Sequence, residues 1–187
     1  MAHHAGIAMT RLAAALLASL ALALSLPAAA AAEAWRVGPA PSDHTDLKAA
    51  TVVNDEGHTL YLWELVDENR SQIYCEMHLA EGMRFADAMP VYRIDDGKPV
   101  DTAAIRDAGE ALDALWAHVG DTVAFWLLSP IPSRDGAEHD ALAPWLNGRE
   151  VEVSFRTADG VEKTTRFSLE GSAEAIRGAT GGAQAGD

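Results

Sequence analysis

The chain predicts a mixed α+β domain, mainly an antiparallel β-sheet or sandwich of about seven strands, with one longer helix and two short helices at its edges. Three observations carry this reading. Apolar and polar residues alternate at period two through most of the chain, and Asp-Gly and Asn-Gly pairs punctuate the alternation. Residues 102–118 change to a spacing of three and four, the signature of a helix.

The elements follow in order. Residues 1–32 read as a cleaved export signal: Arg11 gives the positive charge, residues 12–26 an apolar run, and Pro27 with the alanines after it a small-residue cleavage region near Ala32. That run falls short of the roughly 20 residues that span a bilayer. No stable membrane span is therefore expected once the signal is gone, and the mature protein is expected to be periplasmic or secreted. Arg11 is the only charge removed, so 13 basic and 28 acidic side chains remain, a net charge of −15 on residues 33–187. One domain over residues 33–177 suits this length, and so acidic a surface argues against nucleic acid as a partner.

Residues 33–46, with Pro39, Pro41 and Ser42, read as an irregular arm on which Trp35 docks. Residues 49–53 read as a strand closed by Asn54, Asp55, Glu56 and Gly57. In the next strand Leu60, Leu62 and Val66 alternate with Tyr61, Trp63 and Leu65, so both faces are apolar and the strand belongs in the middle of a sheet. Asp67, Glu68 and Asn69 turn the chain into a third strand over 72–79. There Ile73, Cys75, Met77 and Leu79 share one face, and Gln72, Tyr74, Glu76 and His78 the other. Cys75 is the only cysteine, so no intramolecular disulfide forms, and its parity makes it a small buried apolar residue.

Residues 91–94 read as a fourth strand, ended by an Asp96-Gly97 turn, with Lys98 and Val100 pairing briefly beyond it. The helix follows over 102–118, with Ile105, Ala108, Leu112, Leu115, Trp116 and Val119 at helical spacing, Asp101 as N-cap and Gly120 as stop. Gly109 within it costs about 1 kcal/mol relative to alanine and shortens the expected helix. Residues 122–128 form a strand buried on both faces, and 131–143 a polar loop leading into a short helix with Leu142, Trp145 and Leu146, stopped by Asn147-Gly148. The clearest hairpin has Val151, Val153 and Phe155 on one arm, Asp159-Gly160 as turn, and Val161, Phe167 and Leu169 on the return. A last short helix runs from Ser172 through Ile176, and residues 178–187 form a low-complexity tail expected to be disordered.

Residues 142–176, with Trp145-Leu146 before Asn147-Gly148-Arg149-Glu150, the Asp159-Gly160 turn, and Phe167-Ser168-Leu169 before an Ala-rich helix, resemble the C-terminal part of the invasion-associated locus B family. Residues 94–99, Ile-Asp-Asp-Gly-Lys-Pro, resemble that family's central strand and turn. The resemblance implies an exported, sandwich-like protein whose family name records a host-cell invasion phenotype and no enzymatic activity. Family members typically carry paired cysteines, including a cluster after the central strand, where this chain has Ala103 and Ala104. No functional residue is carried over.

Chemistry-bearing patterns are sparse. The histidines of the mature chain, His44, His58, His78, His118 and His139, do not make a helical zinc pair, and no Cys-x-x-Cys, nucleophile elbow or Gly-rich phosphate loop occurs. No catalytic residue and no cofactor are assigned. Glu76 and His78, two apart on one strand face, could present two ligands to a divalent cation, or else belong to a solvated face. Two polar clusters fall in loops, one of Asp43, His44, Thr45 and Asp46, the other of Arg134, Asp135, Glu138, His139 and Asp140; each is a binding candidate or a solvated turn. Of the five tryptophans, Trp145 beside the second loop is the one expected to be partly exposed, and with His139 and Asp140 it makes a candidate ligand platform. The function expected is that of an envelope-associated accessory or binding protein without intrinsic catalysis, its partner an envelope protein or a small ligand. The alternative is a metal-assisted hydrolase using Glu76 and His78 or the His139 loop.

Overall fold

The computed structural model describes residues 33–41, 46–67, 70–112, 114–129, 131–132, 138–139 and 141–181, with the backbone alone for 67, 70, 131, 132, 138 and 139. The expected export signal, residues 42–45, the 68–69 turn, residues 133–137, Asp140 and residues 182–187 of the tail lie outside the described residues.

The strands are β1 (Arg36–Pro39), β2 (Lys48–Val53), β3 (Thr59–Asp67), β4 (Arg70–His78), β5 (Val91–Ile94), β6 (Val100–Asp101), β7 (Ala117–Val119), β8 (Val123–Ser129), β9 (Ile131–Pro132), β10 (Glu138–His139), β11 (Glu150–Arg156) and β12 (Glu162–Ser168). Among the described residues three helices join them: α1 (Thr102–Glu110), α2 (Leu142–Asn147) and α3 (Ser172–Ala179). One sheet has the order β1-β2-β3-β4-β8-β7, a second the order β12-β11-β5-β6, and β9 pairs with β10 alone. All of the pairings are antiparallel, as the expected α+β sandwich-like fold requires.

Register explains the layering. Leu62 pairs with Cys75 and Trp63 with Tyr74, so residues of even number on β3 share one face with residues of odd number on β4. Leu60, Leu62, Cys75 and Met77 on that face are fully buried, and Trp126 of β8, paired with Cys75, joins them. The second sheet covers them: Tyr92 of β5 stacks on Trp126 at 5.7 Å, and Phe155 of β11 meets the His58 ring at 5.7 Å. Asn54 fastens the layers with polar contacts, its Nδ2 donating to Thr165 Oγ1 at 2.6 Å and its Oδ1 accepting from His58 N at 2.9 Å. Helix α3 closes the same layer against β1, β2 and β3.

Four expectations are corrected. Residues 36–39 are not an irregular arm but an edge strand on β2, because an edge leaves one side of the backbone unpaired and tolerates Pro39. Trp35 does dock, donating its indole N–H to the Ser168 carbonyl at 2.7 Å. The helix starts where Asp101 caps it, the carboxylate accepting from Ala103 N at 2.9 Å, but it ends at Glu110, and residues 117–119 form β7. Gly109 is the cause: its carbonyl takes the N–H groups of Leu112 and Ala114, and a Cβ there would lie 2.5 Å from the Ala114 carbonyl oxygen. The chain folds back across the glycine, and Gly120 sits in the turn to β8, its N–H bonded to the Val123 carbonyl. Finally, the loop over 131–143 contains a short ladder, with His139 opposite Ile131. At the C-terminal end, α3 continues past Ile176 through Ala179, and Thr180 is buried.

Candidate functional site

Opposite parity builds the outer face of the six-stranded sheet. Trp63 pairs with Tyr74, and Glu76 stands between Tyr61 on β3 and Phe125 on β8. His78 pairs with Val123, and His118 of the edge strand β7 pairs with Phe125. These side chains therefore share one surface, away from the second sheet. The Trp63 and Tyr74 rings stack at 4.9 Å and 17°, and Phe125 meets Tyr74 edge-on at 6.1 Å.

Together with Leu65, Leu115 and Pro41 they enclose a cleft of about 500 Å³ whose walls are mostly apolar. Its size lies in the range of small-molecule sites. Leu115, 68% exposed in the segment that follows α1, forms one lip. Glu76 lies at the floor and is only 7% exposed. Its Oε1 is 2.7 Å from His78 Nε2, and its Oε2 accepts from Trp63 Nε1 at 3.2 Å. The Tyr74 hydroxyl donates to Gln72 Oε1 at 3.3 Å, and burial raises its pKa, so the phenol keeps its proton.

This changes the reading of Glu76 and His78. Their strand face is not simply solvated, since the neighbouring strands turn it into the floor of a cleft. The two side chains bond to each other, so with Nε2 carrying the shared hydrogen a neutral His78 has Nδ1 as its acceptor. A histidine held by a carboxylate is the local arrangement of a general base or of an oriented metal ligand. Among the described residues no three His, Cys, Asp or Glu side chains group as a metal ligand set.

Trp145 is corrected: it is fully buried, tilted against Tyr92 at 5.5 Å, and offers no exposed platform. Helix α2 turns it inward because Leu142 and Trp145, three residues apart, share the face that packs on the core. His139 is placed only through its backbone pairing in β10, and Asp140 lies outside the described residues. Sequence reasoning missed Trp63, Tyr74, Phe125 and His118 as cleft residues. The parity shared by Trp63 with Leu65, and by Tyr74 with Glu76, is the signal that marked their common face.

A second concavity, on the outer face of β5, β11 and β12, is lined by charged residues. Its charges satisfy one another: Arg93 and Arg166 both bond Glu152, at 2.8 and 2.9 Å, and the Arg166 hydrogen bond is the main cause that lowers the Glu152 pKa. Such exposed pairs add little stability. Compared with known proteins, the chain matches no family model, no curated protein and no solved structure.

Proposed function

We propose that this is an exported binding protein, an envelope-associated accessory that holds a small ligand in the outer-face cleft and has no catalysis of its own. The observation that carries the reading is the combination of apolar walls with one buried carboxylate in a half-enclosed space of ligand size. The leader-like residues 1–32 support export, and the resemblance of residues 94–99 and 142–176 to the invasion-associated locus B family supports an envelope setting without implying a reaction. N-terminal sequencing of the exported form is expected to begin near Glu33; recovery of the intact leader in the cell interior would remove the setting. A ligand-observed NMR screen of small aromatic probes is expected to give binders that Leu115→Asp weakens, since Leu115 is exposed and its replacement leaves the core intact. If no probe binds, the cleft is not a ligand site.

One observation favours a second reading, a metal-assisted hydrolase: the contact of His78 Nε2 with Glu76 Oε1. Stoichiometric transition metal in protein purified without chelator, together with a turnover lost in His78→Ala, would replace the binding reading with this one.

A further inference from the structure

We infer that the ligand of the outer-face cleft is an organic cation, a primary ammonium on an apolar or aromatic body; this rests on the reading of the cleft as a binding site. Charge is the starting point. Glu76 is more than nine-tenths buried, and among the described residues the cleft is lined by no lysine or arginine. On the other sheet, by contrast, Glu152 faces Arg93 and Arg166, and Glu162 faces Arg156. Among the described residues Glu76 has only the His78 ring and the Trp63 indole N–H. Two donors leave each carboxylate oxygen with a further lone pair, so the group can still accept from a guest.

Among the described residues this buried carboxylate meets no lysine or arginine, and a guest that brings a positive charge gains a charge-assisted hydrogen bond with it in a partly dehydrated place. The walls specify the rest of the guest. Leu65, Leu115, Val123 and Phe125 present apolar surface beside the carboxylate, which suits a hydrophobic body attached to the ammonium. An anionic guest would meet Glu76 directly, and the net charge of −14 on the whole chain would disfavour its approach.

The test uses three probes of one shape: 2-phenylethylamine, 2-phenylethanol and phenylacetate, titrated against the protein by calorimetry and by indole NMR shifts. The amine is expected to bind about tenfold or more tightly than the alcohol, as a hydrogen bond to a charged group implies, and the acid weakest. Glu76→Gln keeps an acceptor for Trp63 and is expected to erase the preference for the amine while leaving the alcohol unchanged. Leu115→Lys, at an exposed position, is expected to weaken the amine more than the alcohol, since it adds a positive charge besides removing the apolar lip, and guards against misfolding of the Glu76 variant. Equal binding of amine and alcohol, or a preference that survives Glu76→Gln, overturns the cation inference and leaves the cleft as a binding site. Absence of binding by all three probes overturns both.

Discussion

His58 and Cys75 show what burial does to single titratable groups. His58 is 1% exposed, and its Nδ1 accepts the Ala80 N–H at 2.9 Å, which keeps the hydrogen of the neutral ring on Nε2. Desolvation holds its pKa below the ordinary 6.5, against a smaller raising effect of Glu56. The unfolded chain therefore takes up the proton first. The stability contributed by neutral His58 is complete above about pH 6.5 and is lost as pH falls from there toward the depressed folded value. Urea midpoints measured on both sides of that window are expected to fall toward acid in the wild type and to fall less in His58→Gln; equal slopes would show that another group is responsible. Burial pushes the Cys75 thiol far above its usual range, with Glu76 adding to the shift. Labelling with a disulfide reagent is expected to be negligible in the folded protein and complete in denaturant, whereas fast native labelling would mean that β4 opens. The burial of Cys75 was legible from the alternation of Ile73, Cys75 and Met77. That of His58 was not, because it follows the 54–57 turn, where period carries no information, and it is covered by Phe155 from a distant strand.

At the scale of elements, those with strong local signals appeared where expected. The hairpin of β11 and β12 turns through Asp159-Gly160, with Gly160 at φ +85° as such a turn needs. Helix α1 begins at its Asp101 cap. Its end could not be read, since Leu112, Leu115, Trp116 and Val119 keep helical spacing while the chain has already left the helix. Local spacing describes which residues are apolar, and the return of Trp116 and Ala117 toward β8 depends on contacts outside that window. Gly109 makes this testable. In an ordinary helix, alanine in place of glycine is favourable by about 1 kcal/mol, but here the added methyl would lie 2.5 Å from the Ala114 carbonyl oxygen and 3.0 Å from Trp116 Cβ. Gly109→Ala is expected to destabilise by about 1–3 kcal/mol, read as a lower denaturant midpoint; a gain would mean that residues 111–116 can shift aside. Strand β1 was missed for the opposite reason, because its Pro39 is a breaker in general and tolerable only at a sheet edge.

For the molecule as a whole, the two sheets are joined by a small number of large contacts, among them Tyr92 on Trp126 and Phe155 between His58 and Phe85. Phe155→Ala is expected to cost about 3–5 kcal/mol, the range for deleting a buried phenylalanine, and to lower the thermal midpoint; a loss under about 1 kcal/mol would show that the layers do not depend on each other. The alternation and turn chemistry of the chain were enough for the α+β class, the central position of β3, the burial of Cys75 and the common face of Glu76 and His78, because a period of two sorts side chains to faces without reference to partners. The cleft was beyond them. It exists because β7 and β8 pair beside β4 and bring His118 and Phe125, more than 40 residues further along the chain, next to Glu76. Which strands become neighbours is decided by the packing of all the apolar faces at once, and so the conversion of a strand face into an enclosed site, like the inward turn of Trp145, belongs to the tertiary structure alone.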